Sequence, residues 1–347
     1  MVRTAIIGAG KAQATQTKLG GYQIGYTHAA AYARNQQCKL VAVADIVQSH
    51  LDAFNDRFDA IGYLDYRQML VTERPDVVSI CTYVGLHYEM LEAAVHAGVK
   101  AVLCEKPFVA TVPQLNAIRA LVATSGIKIG VAHVRRYRPV FSHAQRLFND
   151  GTIGTPIACL AGIDGWDLSE WGSHWIDMFR YLLNEQPVAW VMGQARVREL
   201  RGFGHTMEDH ATLHMGFAHG ARGILDGGQP LAGGDIMTLV GTSGVIAIHD
   251  EERMTVTNAH GVTLHDFTGQ VSWDGCWDQA IAEMAEWVDT GHEPRIGFTH
   301  VVDSAAVNLA AYLSAVYRDR IDMPLTGTYP DVWPLELMHT TTVPSRP

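Results

Sequence analysis

Short apolar runs alternate with amphipathic stretches through the first third of the chain. The apolar runs have the length of buried strands and lie at residues 4–8, 39–45, 76–81, 100–104 and 127–132. Helical length and spacing of apolar positions characterise residues 46–58, 87–97 and 112–124. Strands that alternate with helices in this way are typical of a doubly wound parallel sheet. The pattern therefore predicts an α/β domain over residues 1–134.

Longer alternations of apolar and polar positions follow and indicate half-buried strands. They lie at residues 157–163, 189–198, 210–217, 221–226, 235–241 and 244–249. This pattern predicts a large, mostly antiparallel open sheet, flanked by helices at 278–290 and 299–318. We therefore expect an α+β domain over residues 135–330 and a C-terminal tail over residues 331–347.

Composition and charge narrow the classes of function. The chain has 347 residues, 48% of them hydrophobic and 18% charged, which is typical of a globular protein with two domains. A net charge of −10 argues against a nucleic-acid partner. The absence of a long apolar run and of a signal-peptide pattern predicts no membrane association. Five scattered cysteines suit buried thiols in a reducing cytoplasm, and neither they nor the histidines show the spacing of a metal site.

Glycine residues follow the first predicted strand. Gly8 and Gly10 begin a dinucleotide fingerprint, in which glycines allow a tight turn and the approach of a pyrophosphate to a helix N-terminus. The third glycine is replaced by Gln13, and Gly25, at the start of the next helix, is the candidate for the close packing of helix on strand. We expect the insertion over residues 11–24 to fold over the cofactor or to line the substrate pocket.

Asp45 ends the second predicted strand. A carboxylate at this place accepts hydrogen bonds from the ribose hydroxyls of an adenosine. The next residue is Ile46 and not an arginine that favours a 2′-phosphate, so the sequence predicts NAD rather than NADP. A helix cap is the alternative role for Asp45.

The tripeptide Glu105-Lys106-Pro107 follows the apolar run at 100–104. Open α/β sheets bind their ligands at the carboxyl ends of the strands, and Pro107 favours an extended backbone at Lys106. A lysine beside a carboxylate at this edge is a candidate acid–base group. A surface turn is the alternative for the tripeptide taken alone.

Three polar residues share one face of a predicted helical segment. Glu170 lies four residues before His174, and Asp177 lies three residues after it. A carboxylate so placed orients the imidazole, which then bonds a substrate hydroxyl. A capped helix start with a satisfied histidine is the alternative.

Aromatic residues surround this segment. Trp166, Trp171 and Trp175 offer faces that stack on the apolar side of a sugar ring, which favours a sugar or cyclic polyol as substrate; burial in the core is the equal alternative. Arg135 and Arg136 are candidates for an acidic sugar or for the cofactor phosphates, with ordinary ion pairing as the alternative.

These segments together resemble the glucose–fructose oxidoreductase / inositol dehydrogenase (Gfo/Idh/MocA) family. The resemblance runs in order from residue 2 to about residue 325 and rests on residues 75–82 with His87, 97–107, 133–139, 151–156 and 170–177. It implies an N-terminal Rossmann domain and hydride transfer between NAD and a secondary hydroxyl or ketone of a sugar, glycoside or cyclic polyol. It also implies a homo-oligomer, a dimer or tetramer, formed through the sheet of the second domain.

The resemblance further implies the roles of individual residues. Lys106 is the acid–base group, Glu105 positions it or touches the nicotinamide ribose, and His174 is its partner or the base itself. The cofactor side also includes Ile46, Thr82, His87, Pro107 and Lys106 itself. The substrate side includes Arg136, Asp164, Trp166, Trp171 and Asp177. The family usually has aspartate where this chain has Glu170, so Asp164 or Asp167 are alternatives for its role.

Two other functions are compatible with the same scaffold. A redox-neutral, NAD-dependent enzyme that cleaves glycosides uses the same hydride transfer and then returns the hydride. A non-catalytic sensor of sugars or nucleotides is the third hypothesis, and the retained Lys106 argues against it.

Overall fold

A six-stranded parallel sheet forms the centre of one of the two units of the chain. The computed structural model describes residues 1–11, 23–163, 167–197, 206–228 and 234–339. The first unit contains Met1–Val109, Asn116–Val134 and Trp273–Val301. Its strands are β1 (Val2–Ile7), β2 (Cys38–Ala44), β3 (Ile61–Tyr63), β4 (Val77–Ile80), β5 (Ala101–Cys104) and β6 (Lys128–Val131). The order β3-β2-β1-β4-β5-β6, with every pair parallel, confirms the predicted doubly wound sheet.

Helices connect these strands and leave the sheet buried on both faces. They are α1 (Ile24–Arg34), α2 (Gln48–Asn55), α3 (Tyr66–Glu73), α4 (Val84–His96) and α5 (Val112–Ser125). Consecutive residues of β4 and β5 are all buried, which is typical of a parallel sheet covered on both sides. The carboxyl ends of the strands are the places where the chain leaves this apolar layer.

The helix α8 (Trp273–Thr290) belongs to the first unit, although residues 135–330 were expected to form one domain. Its apolar face covers the β5–β6 side of the sheet, where a Cβ at Gly130 would approach the Met284 sulfur within 2.6 Å. The ammonium group of Lys128 also donates a 2.6 Å hydrogen bond to the carbonyl oxygen of Trp287. A late segment of the chain, outside the predicted range 1–134, therefore completes the core of the first unit.

A nine-stranded sheet forms the second unit, which contains Ala110–Leu115, Arg135–Ser272 and Val302–Pro347. Its strands are β7 (Pro156–Ile163), β8 (Val188–Arg196), β9 (His210–Phe217), β10 (Arg222–Gly227), β11 (Met237–Gly241), β12 (Gly244–Ile248), β13 (Arg253–Asn258), β14 (Gly261–Asp266) and β15 (Ile321–Asp322). The order is β14-β13-β12-β11-β7-β10-β9-β8-β15. Among these pairs β7 and β10 are parallel and the others antiparallel, which confirms the predicted mostly antiparallel sheet.

The helices of the second unit are α6 (Pro139–Asn149), α7 (Ser173–Leu182) and most of α9 (Phe298–Tyr317). A 3₁₀ helix, Pro334–His339, follows Trp333, whose indole N–H donates to the carbonyl oxygen of Thr206 at 2.7 Å. Because Trp333 and Leu335 are buried, residues 331–339 are part of the second unit and not of a tail. None of the described helices is long and apolar enough to span a bilayer.

Six of the labelled elements in the described residues lie outside the predicted set: β3, α3, α6, β13, β14 and β15. The strand β3 has three residues, which is too short to show a period. The helix α3 has local signals, since the Asp65 side chain caps it by accepting from the Arg67 amide and Arg74 ends it with a φ of 46°. These signals are weaker than the hydrophobic periodicity on which the prediction relied.

The centre of the parallel sheet gives a test of the core. Leu103 of β5 is fully buried, so Leu103→Ala is expected to lower the free energy of unfolding by about 2–5 kcal/mol, measured by urea denaturation. Val71→Ala on α3, where the side chain is 66% exposed, is the control and is expected to change it by less than about 0.5 kcal/mol. Equal effects of the two substitutions would contradict the proposed position of the core.

Candidate active site

Parallel pairing brings four strand ends of the first unit to one edge of its sheet. The strands β1, β2, β4 and β5 are neighbours, and each is followed directly by residues that the sequence marked as candidates. Gly8 follows β1, Asp45 follows β2, Thr82 lies two residues past β4, and Glu105 follows β5. The chain order reverses between β1 and β4, and open α/β sheets bind their ligands at such a switch point.

The glycine turn after β1 is as tight as its sequence suggests. Gly8 and Gly10 have φ angles of 97° and 72°, which favour glycine. A Cβ at Gly8 would lie 2.8 Å from the Cys81 carbonyl oxygen, so a side chain would displace the loop after β4. A Cβ at Gly25 would overlap the carbonyl oxygen of Gly8, which confirms that Gly25 permits the close packing of α1 on this turn. Residues 12–22 of the insertion lie outside the described residues.

The Asp45 carboxylate organises the end of β2. Its Oδ2 accepts a 3.0 Å hydrogen bond from the Gly10 amide and so joins the glycine turn to β2. Its Oδ1 accepts from the Val47 amide at 2.9 Å and faces Nδ1 of His50 at 3.1 Å. Asp45 is not the N-cap of α2, because this helix begins after Val47 and has no side-chain cap. Of the two predicted roles, the ribose-binding one therefore remains the proposal.

A cavity of about 310 Å³ lies beside Asp45. Five of the predicted cofactor residues line it, namely Gly8, Gly10, Asp45, Ile46 and Thr82. Its size is at the lower end of the range for small-molecule sites and suits the nucleoside part of a dinucleotide. Lys11 and His50 also line it. Neither was predicted from the sequence, although Lys11 follows the glycine pair and His50 lies about one helical turn beyond Asp45.

The Glu105 side chain is almost completely buried, with 6% of its surface exposed. Its Oε1 lies 3.0 Å from Nε2 of His28, and its Oε2 accepts a 3.1 Å hydrogen bond from the backbone amide of Lys106. Burial alone would raise the pKa of Glu105, but the hydrogen bond from His28 and the charge of Lys106 outweigh burial and lower it. Glu105 is therefore a carboxylate at neutral pH. Lys106, which follows it, is partly exposed.

His87 lies inside α4 and is fully buried. Its Nδ1 lies 3.1 Å from the Phe108 carbonyl oxygen and its Nε2 lies 3.0 Å from that of Thr82. Burial lowers the pKa of His87, so the neutral ring donates to one of these carbonyl groups. His87 thus links the loop after β4 to the segment after Pro107. His87 was expected to contact the cofactor, and because it is buried we propose instead that it supports that loop.

The segment that carries Glu170 and His174 is helical, but its first turn is wider than predicted. Residues Leu168–Gly172 form a π turn closed by a 3.0 Å bond from the Gly172 amide to the Asp167 carbonyl oxygen. The Asp167 side chain caps this turn by accepting from the Glu170 amide at 2.6 Å. A π turn changes the angle between Glu170 and His174 from that of a regular helix, and such turns are frequent at functional sites. Both side chains are 8% exposed.

Arg136 and Asp177 form an ion pair in the core of the second unit. Two nitrogens of Arg136 donate to the two Asp177 oxygens at 2.8 and 2.9 Å, and a third donates to Glu185 at 2.5 Å. Burial alone would lower the pKa of Arg136, but the charges of Asp177 and Glu185 outweigh it and raise the pKa. Both Arg136 and Asp177 are 0% exposed. This burial argues against direct substrate contact, and we propose instead that the pair supports α7.

Arg135 lies against the aromatic residues of the same segment. Its guanidinium carbon is 5.6 Å from the ring centre of Trp171 and 5.2 Å from that of Trp175, and its Nε donates to Glu251 at 2.8 Å. Trp175 is buried, whereas Trp171 is 36% exposed. Trp171 is thus partly exposed, while Trp175 packs in the core. Asp164 and Trp166 lie outside the described residues.

A second carboxyl group is buried behind the π turn and has no counterpart in the sequence analysis. Glu208 is fully buried, and its Oε1 accepts from the Leu168 amide at 2.6 Å and from the Tyr312 hydroxyl at 2.8 Å. Burial and the nearby charge of Asp167 raise the pKa of Glu208. Through the bond to the Leu168 amide, Glu208 stabilises the turn that follows Asp167. Its partners are distant in sequence, so no local pattern indicates this role.

The described residues contain no group of three His, Cys, Asp or Glu side chains placed to hold a metal ion.

Two family models match the chain. The model of the Gfo/Idh/MocA oxidoreductase family with an NAD-binding Rossmann fold matches residues 2–133, and the model of the Gfo/Idh/MocA C-terminal domain matches residues 164–247. Together they cover more than half of the chain.

Named relatives and solved structures extend this similarity along the chain. An inositol 2-dehydrogenase of Rhizobium meliloti is 27% identical over 273 residues, which cover 72% of this chain and 81% of the relative. A D-apiose dehydrogenase of Paraburkholderia graminis is 24% identical over 309 residues, with coverage of 80% and 81%. The crystal structure of an oxidoreductase from Agrobacterium radiobacter with NAD+, L-tartaric acid and magnesium has a TM-score of 0.77 at 22% identity, with coverage of 92% and 98%. This last similarity shows the same fold.

The position of Asp45 predicts the affinity for NAD. Loss of hydrogen bonds to a charged acceptor corresponds to about 10- to 100-fold, so Asp45→Ala is expected to raise the Kd for NAD by that factor in isothermal titration calorimetry. Asp52→Ala, which removes an exposed carboxylate from the same helix region, is the control and should leave the Kd unchanged. An unaltered Kd in Asp45→Ala would reject the ribose-binding role.

The buried ion pair predicts a large effect on stability. Arg136→Met removes the guanidinium that neutralises the buried Asp177 carboxylate, and is expected to lower the free energy of unfolding by about 3–5 kcal/mol in thermal or urea denaturation. Arg196→Met, at an exposed pair with Asp209, is the control and should cost less than about 1 kcal/mol. If Arg136→Met instead raised KM at unchanged stability, Arg136 would be a substrate ligand after all.

Proposed function

Because this chain belongs to the Gfo/Idh/MocA family of oxidoreductases, we propose that it transfers hydride between NAD and a secondary hydroxyl or ketone of a sugar, glycoside or cyclic polyol. One observation carries the proposal. Lys106 directly follows the buried carboxylate of Glu105 at the carboxyl end of β5, on the sheet edge that also holds the glycine turn and Asp45.

The residues around the cavity fit NAD. The turn at Gly8 and Gly10 leaves room for a pyrophosphate close to the backbone, and Asp45 offers carboxylate oxygens to ribose hydroxyls. Ile46 is 89% exposed and gives no positive charge for a 2′-phosphate. When bound, the nicotinamide accepts the hydride in the oxidative direction and returns it in the reductive one.

Lys106 handles the proton in this proposal. Oxidation of a secondary alcohol releases the hydroxyl proton together with the hydride, and a base at the hydroxyl prevents a free alkoxide from forming away from water. We assign this task to Lys106 and the reverse donation to the same group. His174 on the second unit is the alternative base, with Glu170 as the carboxylate that orients it. Comparison of kcat between variants of Lys106 and variants of His174 distinguishes these two assignments of the base.

The substrate class rests on the relatives and on one side chain. The inositol and D-apiose dehydrogenases are named for polyhydroxylated substrates. Trp171 exposes its ring one residue after Glu170, and an aromatic face beside a carboxylate suits the C–H face and the hydroxyls of a sugar ring. We therefore propose a sugar, glycoside or cyclic polyol, in which Trp171 stacks and Glu170 and His174 bond hydroxyls.

A redox-neutral reaction that cleaves glycosides is a second candidate. It uses the same residues and predicts release of an aglycone without net NADH.

We also propose a homo-oligomer formed through the nine-stranded sheet. Its edge strand β14 exposes Val262 by 71% and Leu264 by 62%. Sedimentation of the wild type and of a variant with both residues changed to Lys tests this surface.

The proposed role of Lys106 predicts a loss of turnover without a loss of cofactor. With a panel of sugars, glycosides and cyclitols, Lys106→Met is expected to lower kcat by about 10²- to 10⁴-fold while the Kd for NAD stays within about 3-fold, because only the proton transfer is removed. NADH absorbance measures turnover, and calorimetry measures NAD binding.

A matched control is available on the same strand. Lys100 at the opposite end of β5 is exposed and pairs with Asp76 at 2.8 Å, so Lys100→Met should retain wild-type turnover. Wild-type activity in Lys106→Met would reject the acid–base role. Absence of turnover by the wild type across the panel, with NAD bound, would favour the sensor hypothesis.

A further inference from the structure

Four buried side chains of the first unit form one chain of hydrogen bonds that ends at the backbone of Lys106. The Tyr32 hydroxyl lies 2.7 Å from the Ser79 hydroxyl, which lies 2.9 Å from Nδ1 of His28. Nε2 of His28 lies 3.0 Å from Oε1 of Glu105. The other oxygen of Glu105 accepts the Lys106 amide at 3.1 Å. The chain thus connects α1, β4 and the end of β5.

The ionised Glu105 determines the direction of its own hydrogen bond. A carboxylate only accepts, so Nε2 of His28 donates to it. Nδ1 of the same ring bonds the Ser79 hydroxyl on the other side. Burial raises the pKa of Tyr32, so its hydroxyl keeps the proton and is able to donate to Ser79. Each of the four side chains thus has a hydrogen-bond partner inside the protein.

Burial prevents water from replacing these bonds. His28 and Ser79 are 0% exposed and Tyr32 is 1% exposed. The His28 ring also packs on Trp277, with ring centres 4.5 Å apart. This packing fixes the orientation of the His28 ring. The ring is the hydrogen-bond partner of Oε1 of Glu105, the oxygen that does not accept from the Lys106 amide.

We propose that His28 is a positioning residue for Lys106: it holds Glu105 as an oriented carboxylate, and Glu105 holds the backbone amide from which the Lys106 side chain departs. The inference rests on the proposed role of Lys106 as the acid–base group. It explains why a histidine on α1, directly after the interrupted glycine fingerprint, faces the strand end that carries the lysine.

Other ionisable groups also lie near Glu105. Cys81 and Cys104 are buried thiols whose pKa is raised well above the ordinary value by burial and by the Glu105 charge. His87 has a pKa lowered by burial. These three groups are therefore neutral near pH 7, and the groups that stabilise the charge of Glu105 are His28 and Lys106.

Two substitutions of His28 separate its hydrogen bond from its bulk. His28→Phe keeps a ring against Trp277 and removes the donor, whereas His28→Gln keeps an N–H donor on a flexible side chain. Loss of a hydrogen bond to a charged group corresponds to about 10- to 100-fold, so we expect His28→Phe to lower kcat by that factor with the Kd for NAD within about 3-fold. His28→Gln is expected to recover most of kcat.

Two controls test whether the effect passes through Glu105. Tyr32→Phe removes only the far end of the chain and should leave kcat within about 3-fold, since the bond from His28 to Glu105 stays intact. The double variant His28→Phe with Glu105→Gln should lose no more than the larger single loss, because the two residues act as a unit. Additive losses, or equal losses in His28→Phe and His28→Gln with a parallel fall in NAD affinity, would overturn the proposal.

A measurement without cofactor or substrate separates this inference from the proposed function. The Glu105 carboxyl is titrated by 13C NMR in selectively labelled protein, with Glu105→Gln for assignment. We expect a higher pKa of Glu105 in His28→Phe than in the wild type, and a value close to wild type in His28→Gln. An unchanged pKa in His28→Phe would reject the positioning role. If Lys106→Met retained turnover while this pKa rose, the acid–base role would fail and the His28–Glu105 coupling would stand.

Discussion

Removal of a carboxylate from water costs free energy that hydrogen bonds, an opposite charge or a proton must offset, and this constraint shapes both units around their candidate residues. Glu105 meets it with the His28 ring and the Lys106 amide. Asp177 meets it with the guanidinium of Arg136. Glu208 meets it by a raised pKa and by two donors. In each case the compensating group also determines where a neighbouring functional residue lies.

In the first unit this compensation turns a strand end into a rigid support. His28 holds Glu105 from α1, and His87 reaches from α4 to the carbonyl oxygen of Phe108. One buried histidine therefore bonds the first residue of the tripeptide Glu105-Lys106-Pro107, and another bonds the residue directly after it. A lysine on such a segment has a defined origin for its side chain, which a proton-transfer group requires. In the second unit, Glu208 and Asp167 support the π turn that carries Glu170 in a comparable way.

Local sequence was sufficient for the residues whose positions depend on their own strand or turn. Gly8, Gly10 and Asp45 follow predicted strands, and the parallel sheet brings them to one edge because all its strands point the same way. The packing of Gly25 was predictable for the same reason. His28 and Glu208 were not, since their partners lie 77 and 40 residues away and no periodicity links them. Arg136 was predicted as a substrate ligand because the sequence shows only that this residue carries a positive charge. The sequence does not show that the Asp177 carboxylate neutralises this charge.

The sequence by itself determined the two fold classes, most of the strands and helices, the cofactor class and the tripeptide at the end of β5. These features depend on hydrophobic period and on residues adjacent in the chain. The tertiary structure alone decided that α8 completes the first unit, that His87 and Arg136 are buried and hydrogen-bonded inside the protein, and that His28 is the partner of Glu105. Such partnerships depend on which polar groups are removed from water together, and a chain shows this only when distant segments have packed.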